Sequence, residues 1–179
     1  MNVGFDLDKI FINTPPFVPG KIIEWFYKGK PDGLLKYRIP SRAEQIIRLF
    51  SHHPLFRPVI TRNINYVKNL ASTSTNKYYL ISGRFGFLKN STEALIKRHG
   101  FNEIFDAMFF NFENKQPHLF KHEVITKLKI DRYVDDDLSL LKFLNKKNKK
   151  TRFFWLNNNT EKIINDNLIA ITHLSKMLQ

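Results

Sequence analysis

Short apolar runs alternate with segments of helical spacing along most of the chain. Asn2 to Phe5 is a strand candidate that stops at Asp6-Leu7-Asp8. Thr61 to Leu70 reads as a helix leading into a strand over Lys77 to Ile81, which ends at Ser82-Gly83-Arg84. A helix follows from about Ser91 to His99, capped by Asn90 or Ser91 and stopped by Gly100. Ile104 to Phe110 is the next strand and Leu119 to Lys129 the next helix. Arg132 to Val134 runs into Asp135-Asp136-Asp137, Leu138 to Leu144 is helical, and Arg152 to Leu156 is a fifth strand. Ile164, Leu168, Ile171, Leu174 and Leu178 recur at three and four, which predicts a last helix over about Thr160 to Met177 with these residues in the core.

Strands alternating with helices predict an α/β fold, a Rossmann-like parallel sheet of about five strands with helices on both faces. Residues from about Phe17 to Pro58 depart from this rhythm. Five of the eight prolines fall there, cutting short helical patches at Ile22 to Tyr27 and Arg42 to Phe50, the latter behind Ser41 as N-cap. This reads as a small insertion of helices and loops. The predicted division is a core of residues 1–12 and 59–179 with an inserted segment, 13–58, after the first strand.

Composition changes little in this picture. The chain has 179 residues, is 42% hydrophobic and 25% charged, and holds no cysteine, so disulfides, thiol nucleophiles and thiolate metal sites are excluded. No apolar run approaches the roughly 20 residues that cross a bilayer. The first residues lack the pattern of a signal peptide, so a cytoplasmic protein is expected. Charge matters more. A net charge of +13 favours anionic partners, with nucleic acid, phosphorylated small molecules and acidic membranes as the candidates. Part of the excess sits in Lys146-Lys147-Asn148-Lys149-Lys150, a solvated loop by its composition.

In a parallel sheet with right-handed crossovers, the C-terminal ends of the strands share one edge, where ligands bind. Asp6 and Asp8 follow the first strand, Ser82 the second, and Asp135 and Asp136 the fourth. Lys121 stands near the start of a helix that runs antiparallel to the strands, so it reaches the same edge. Carboxylates converging on one point repel one another and call for a cation. Oxygen-only ligands select a hard ion, most naturally Mg²⁺. Such an ion can hold a phosphoryl group against a carboxylate nucleophile, while a lysine and a hydroxyl bind the remaining oxygens. A second carboxylate two residues on can act as general acid and base.

This ordered set resembles the haloacid dehalogenase superfamily. Val3-Gly4-Phe5-Asp6-Leu7-Asp8 resembles its first motif, Tyr79-Leu80-Ile81-Ser82 the second, Lys121 the third, and Tyr133-Val134-Asp135-Asp136 the fourth. The resemblance implies a Mg²⁺-dependent phosphatase with 13–58 as its cap. It implies Asp6 as nucleophile and metal ligand. Asp8 would be the general acid/base, with its carbonyl on the metal. Ser82 and Lys121 would hold the phosphoryl group. Asp136 would ligate the metal directly, and Asp135 through water or by orienting the site. Lys9 stands where the family often has glycine. The insertion is most similar to that of the 5′-nucleotidase branch.

Arg84, Arg57 and Arg62 are candidates for binding a substrate anion. His118 and His122, four apart, lack the acidic partner of a metal-binding pair and read as histidines near a helix start. Trp25-Phe26-Tyr27 fits packing or stacking on a ring. The expected function is hydrolysis of a small phosphorylated metabolite, nucleotides among them, through an aspartyl-phosphate. The alternatives are a catalytically silent binding protein of the same fold and a phosphatase acting on nucleic-acid ends. A response-receiver domain is disfavoured, because Phe110-Asn111 stands where the acceptor Asp should follow the third strand.

Overall fold

The computed structural model describes residues 1–15, 37–53, 56–157, 159 and 161–178. The helical patch expected at Ile22 to Tyr27, with its aromatic triplet, lies outside them. Seven strands form one sheet: β1 (Asn2–Phe5), β2 (Lys77–Ser82), β3 (Ala107–Phe110), β4 (Arg132–Asp135), β5 (Arg152–Leu156), β6 (Lys162–Asn165) and β7 (Leu168–Ile171). Their spatial order is β3-β2-β1-β4-β5-β7-β6, parallel except for β6, which pairs antiparallel with β7. The helices are α1 (Arg42–Ser51), α2 (Thr61–Thr73), α3 (Lys89–Arg98), α4 (Pro117–Lys127) and α5 (Leu138–Lys147).

Each central strand is buried on both faces, so alternate residues feed two cores. Val3, Phe5, Tyr78, Leu80, Val134 and Phe154 join Val67 of α2 and Leu95 and Ile96 of α3 in one core. Tyr79, Ile81, Tyr133 and Phe153 join α4 and α5 in the other. Gly4 makes this second layer possible. A Cβ there would lie 2.8 Å from the Tyr133 ring, closer than packed carbons tolerate. Gly100, with φ of 64°, ends α3 in the left-handed conformation that glycine adopts without penalty.

The predicted last helix is a correction. Residues 162–171 form the β6–β7 hairpin about a turn at Asp166-Asn167, followed by a 3-10 turn at Leu174–Met177. Leu168 enters one core while Ile169 and Ile171 enter the other, which is a strand's alternation. The β-branched Ile163-Ile164 and the Asn-Asp-Asn turn outweigh the helical spacing. The strand expected from Ile104 starts later, at Ala107, because a 3-10 turn occupies Phe101–Glu103.

Residues 12–13 and 58–59 lie side by side. Ile12 bridges Val59 antiparallel, and the Asn13 amide donates to the Pro58 carbonyl at 2.8 Å. Between them, α1 begins at Ser41, whose amide and hydroxyl both donate to Glu44 at 2.8 Å. No helix among the described residues is long and apolar enough to cross a membrane.

Candidate active site

The parallel strands deliver Asp6, Ser82 and Asp135 to one edge, and α4 brings Lys121 to meet them. The Lys121 Nζ lies 2.7 Å from Asp6 Oδ1 and 2.7 Å from Asp135 Oδ2. All three residues are almost fully buried. Burial alone would lower the lysine pKa, but Asp135 and Asp6 hold it well above its usual value. Burial pushes Asp6 up to about 8 against the pull of the Lys121 ammonium.

Backbone and hydroxyl donors fix these carboxylates. Asp6 Oδ2 accepts from the Asp8 amide at 3.0 Å. Asp135 Oδ1 accepts from the Asp137 amide at 3.0 Å, and its Oδ2 from the Tyr133 hydroxyl at 3.0 Å. Asp137 caps α5 by accepting from the Ser139 and Leu140 amides. Asp136 is pushed up to about 6 by burial, opposed by Lys9, whose Nζ is 2.8 Å away. Lys9 itself has φ of 58°, which accounts for glycine being the easier residue there.

Asp8 is turned to a different set of partners. Arg84 donates from Nε to Asp8 Oδ2 and from Nη2 to Oδ1, each at 2.8 Å, and Arg57 Nη1 lies 2.5 Å from Oδ1. Burial alone would raise this carboxyl, but the two guanidiniums, Arg84 foremost, hold it well below the usual range. Arg84 is further tied to Thr92, and Arg57 to the Asn13 carbonyl.

Asp6, Asp135 and Asp136 each offer a carboxylate oxygen, all within 4.8 Å of one another. Three hard oxygen donors at that spacing fit a Mg²⁺ ion. The Asp8 carboxylate is outside this group. A pocket of about 130 Å³ opens here, lined by Asp6, Asp8, Lys121, Asp135, Asp136 and Arg84.

The remaining candidates fall less neatly. Ser82 reaches the edge but is fully buried, its hydroxyl accepting from the Arg84 amide at 3.4 Å, and Gly83 forms the adjoining pocket wall. Arg57 acts behind Asp8 and does not line the pocket. Arg62 is exposed on the first turn of α2 and is not brought to the site. His118 packs against Tyr37 and Phe143, and His122 bonds to Asn148, so neither belongs to the metal group. The structure adds Tyr37, Arg48 and His52 to the pocket lining. Tyr37 donates its hydroxyl to Asp137 at 2.8 Å. No local motif marks any of these three.

The sequence matches no family model and no curated protein. Solved structures do match. A haloacid dehalogenase-like hydrolase from Xanthomonas campestris aligns over 96% of this chain and 90% of its own, with a TM-score of 0.59 and 14% identity. A haloacid dehalogenase family enzyme from Bacteroides thetaiotaomicron, crystallised with magnesium and inorganic phosphate, aligns over 89% and 95%, with a TM-score of 0.56 and 13% identity. A chain of the Pnkp1/Rnl/Hen1 RNA repair complex aligns over 87% of this chain but only 42% of its own, with a TM-score of 0.51 and 15% identity. The chain has the fold of the haloacid dehalogenase-like hydrolases.

Proposed function

We propose that this protein is a Mg²⁺-dependent phosphomonoesterase that transfers a phosphoryl group to Asp6 and then to water. The observation that carries the reading is the Asp6–Lys121–Asp135 cluster. A buried lysine between two buried carboxylates, beside a third carboxylate at metal-binding spacing, suits a dianionic phosphoryl group and its counter-ion.

Asp6, Asp135 and Asp136 would hold the Mg²⁺, which when bound supplies positive charge against the phosphoryl oxygens. Asp6 attacks phosphorus, the bond to the leaving oxygen breaks, and an aspartyl-phosphate forms. Lys121 stabilises the charge on the equatorial oxygens. Tyr133 and the Asp137 amide keep Asp135 oriented. Asp8, held ionised by Arg84 and Arg57, is suited to take a proton from the water that cleaves the intermediate. Protonating the leaving oxygen first requires Asp8 to gain a proton, which weaker contact with Arg84 would favour. Segment 13–58 would act as the cap, because its two ends lie side by side at the Ile12–Val59 bridge beside the catalytic edge.

The structural neighbour bound to magnesium and phosphate supports the same chemistry. The net charge of +13 and the neighbour from an RNA repair complex favour a variant in which the phosphate sits at a nucleic-acid end. The test is hydrolysis of a generic aryl phosphate with Mg²⁺, with EDTA, and with Asp6→Asn. Turnover that needs the metal and Asp6 is expected. Turnover indifferent to either contradicts the proposal.

A further inference from the structure

The two edges of the sheet are built differently. A bare edge strand offers unpaired N–H and C=O groups to other chains, and proteins blunt it with charge, proline or a bulge. At one edge, β6 opens with the exposed Lys162, and its register against β7 shifts between Ile163 and Asn165. At the other, β3 reads Ala107-Met108-Phe109-Phe110, with no charge, no proline and an unbroken register against β2. All four residues are half-buried, and among the described residues no strand pairs with the outer side of β3. The Asp106 amide donates inward to the Tyr78 carbonyl at 2.9 Å. Successive residues of a strand point their backbone groups to opposite sides, so those of Ala107 and Phe109 point outward.

Beside this edge a groove of about 450 Å³ runs between β3 and α4. Its apolar lining includes Phe109, Phe112, Phe120 and Val124, and its charged lining is Glu113, Glu123, Lys115 and Lys127, all exposed. The chain has 29 basic and 16 acidic residues, so a patch with equal numbers of each sign is unlike the whole. A polyanion gains little there, whereas two copies of a chain carrying +13 can approach there without repulsion. A two-fold interface needs such a self-complementary patch. We propose that β3 is the interface of a homodimer, pairing antiparallel with β3 of a second copy about a two-fold axis at Met108. Ala107 of each copy then lies opposite Phe109 of the other and exchanges both backbone hydrogen bonds with it. The axis stands perpendicular to the sheet, so α4 of both copies lies on one face and the acids of each meet the lysines of the other. Lys115 already lies 2.8 Å from Glu123 within one chain, so these exposed pairs set register more than affinity. No residue of the groove lines the catalytic pocket, so pairing does not occupy it.

The test is sedimentation of the wild type, Ala107→Pro and Ile163→Lys over roughly 1 to 200 µM. The wild type should dimerise with a Kd on the order of 10 µM, as a small interface does. Ala107→Pro removes an outward N–H that β2 does not use, so the fold should survive it. It should weaken the dimer at least ~30-fold, because the symmetry removes the bond twice. Ile163→Lys, on the opposite edge, should leave the Kd unchanged. Amide exchange on the wild type gives a second reading that needs no variant. The Ala107 and Phe109 amides should slow roughly tenfold or more as the concentration rises through the Kd. A monomer throughout overturns the proposal and leaves this edge to a strand of another protein. A dimer in which those two amides exchange at an unchanged rate, or that Ile163→Lys disrupts while a folded Ala107→Pro does not, also overturns it.

Discussion

The Lys121 ammonium lies 2.7 Å from the Asp6 carboxylate across a sequence separation of 115 residues. It also lies 2.7 Å from Asp135, so one cation serves two buried carboxylates. Replacing it with Met leaves both without their shared partner. Lys121→Met is expected to lose at least ~10³-fold in activity, as removal of a transition-state charge partner does. It should also be destabilised by ~3–5 kcal/mol near neutral pH, because a buried charge cluster loses its cation. Activity assays and urea melts check both.

Asp6 raised to about 8 and Asp136 raised to about 6 predict the pH dependence of metal binding. Both groups are held protonated to higher pH than a free carboxyl, and a metal ligand must be ionised. Mg²⁺ affinity should therefore rise as pH climbs through about 6 to 8, with proton release on binding. Calorimetry in buffers of different ionisation enthalpy measures this directly. A pH-independent affinity with no proton release contradicts it.

Asp8 has the opposite shift. Its folded pKa is depressed, so its contribution to stability is present above the unfolded carboxyl value and lost as pH falls through the folded one. Asp8→Ala takes the shared carboxylate away from the buried Arg84 and Arg57. It should cost ~3–5 kcal/mol at neutral pH, and less in acid where the wild type also loses the ion pair. Denaturant titrations across pH give the answer.

Lys9 combines a left-handed backbone with an ion pair to Asp136. Lys9→Gly should relieve strain of ~1 kcal/mol and release Asp136 from a competing cation. The expected result is near-unchanged stability with tighter Mg²⁺ binding. Weaker Mg²⁺ binding would show that Lys9 supports the metal carboxylates instead of competing for them.

Gly4→Ala tests the packing behind the site. The new methyl would press on the Tyr133 ring, whose hydroxyl holds Asp135. A loss of ~1–3 kcal/mol is expected from overpacking, accompanied by reduced activity. Thermal melts and steady-state rates check the pair. Tyr133→Phe should lower activity with less effect on packing.

Much of this was legible in the chain because strand ends and helix starts dictate which polar residues share an edge. Asp6, Lys121, Asp135 and Asp136 converge for that reason, in an order that topology alone enforces. Arg84 could be placed near the site but not onto Asp8, since an arginine's reach leaves many partners open. Arg62 shows the reverse: proximity in sequence to the returning strand did not bring it inward. Arg48 was hidden by pattern. The spacing of Ile46, Ile47, Leu49 and Phe50 points to an apolar inner face, and α1 presents the polar one. The C-terminal hairpin was hidden by coincidence, because apolar residues three and four apart also fall on strands buried on both sides.

The most direct test of the central claim looks for the phosphoryl group on Asp6 itself. The protein is mixed with Mg²⁺ and an aryl phosphate it hydrolyses, quenched in acid, reduced with borohydride and mapped by peptide mass spectrometry. An aspartyl-phosphate is reduced to homoserine, so homoserine at position 6, dependent on both Mg²⁺ and substrate, is the predicted result. Sustained hydrolysis with Asp6 unmodified, or with the mark at another carboxylate, would contradict the account.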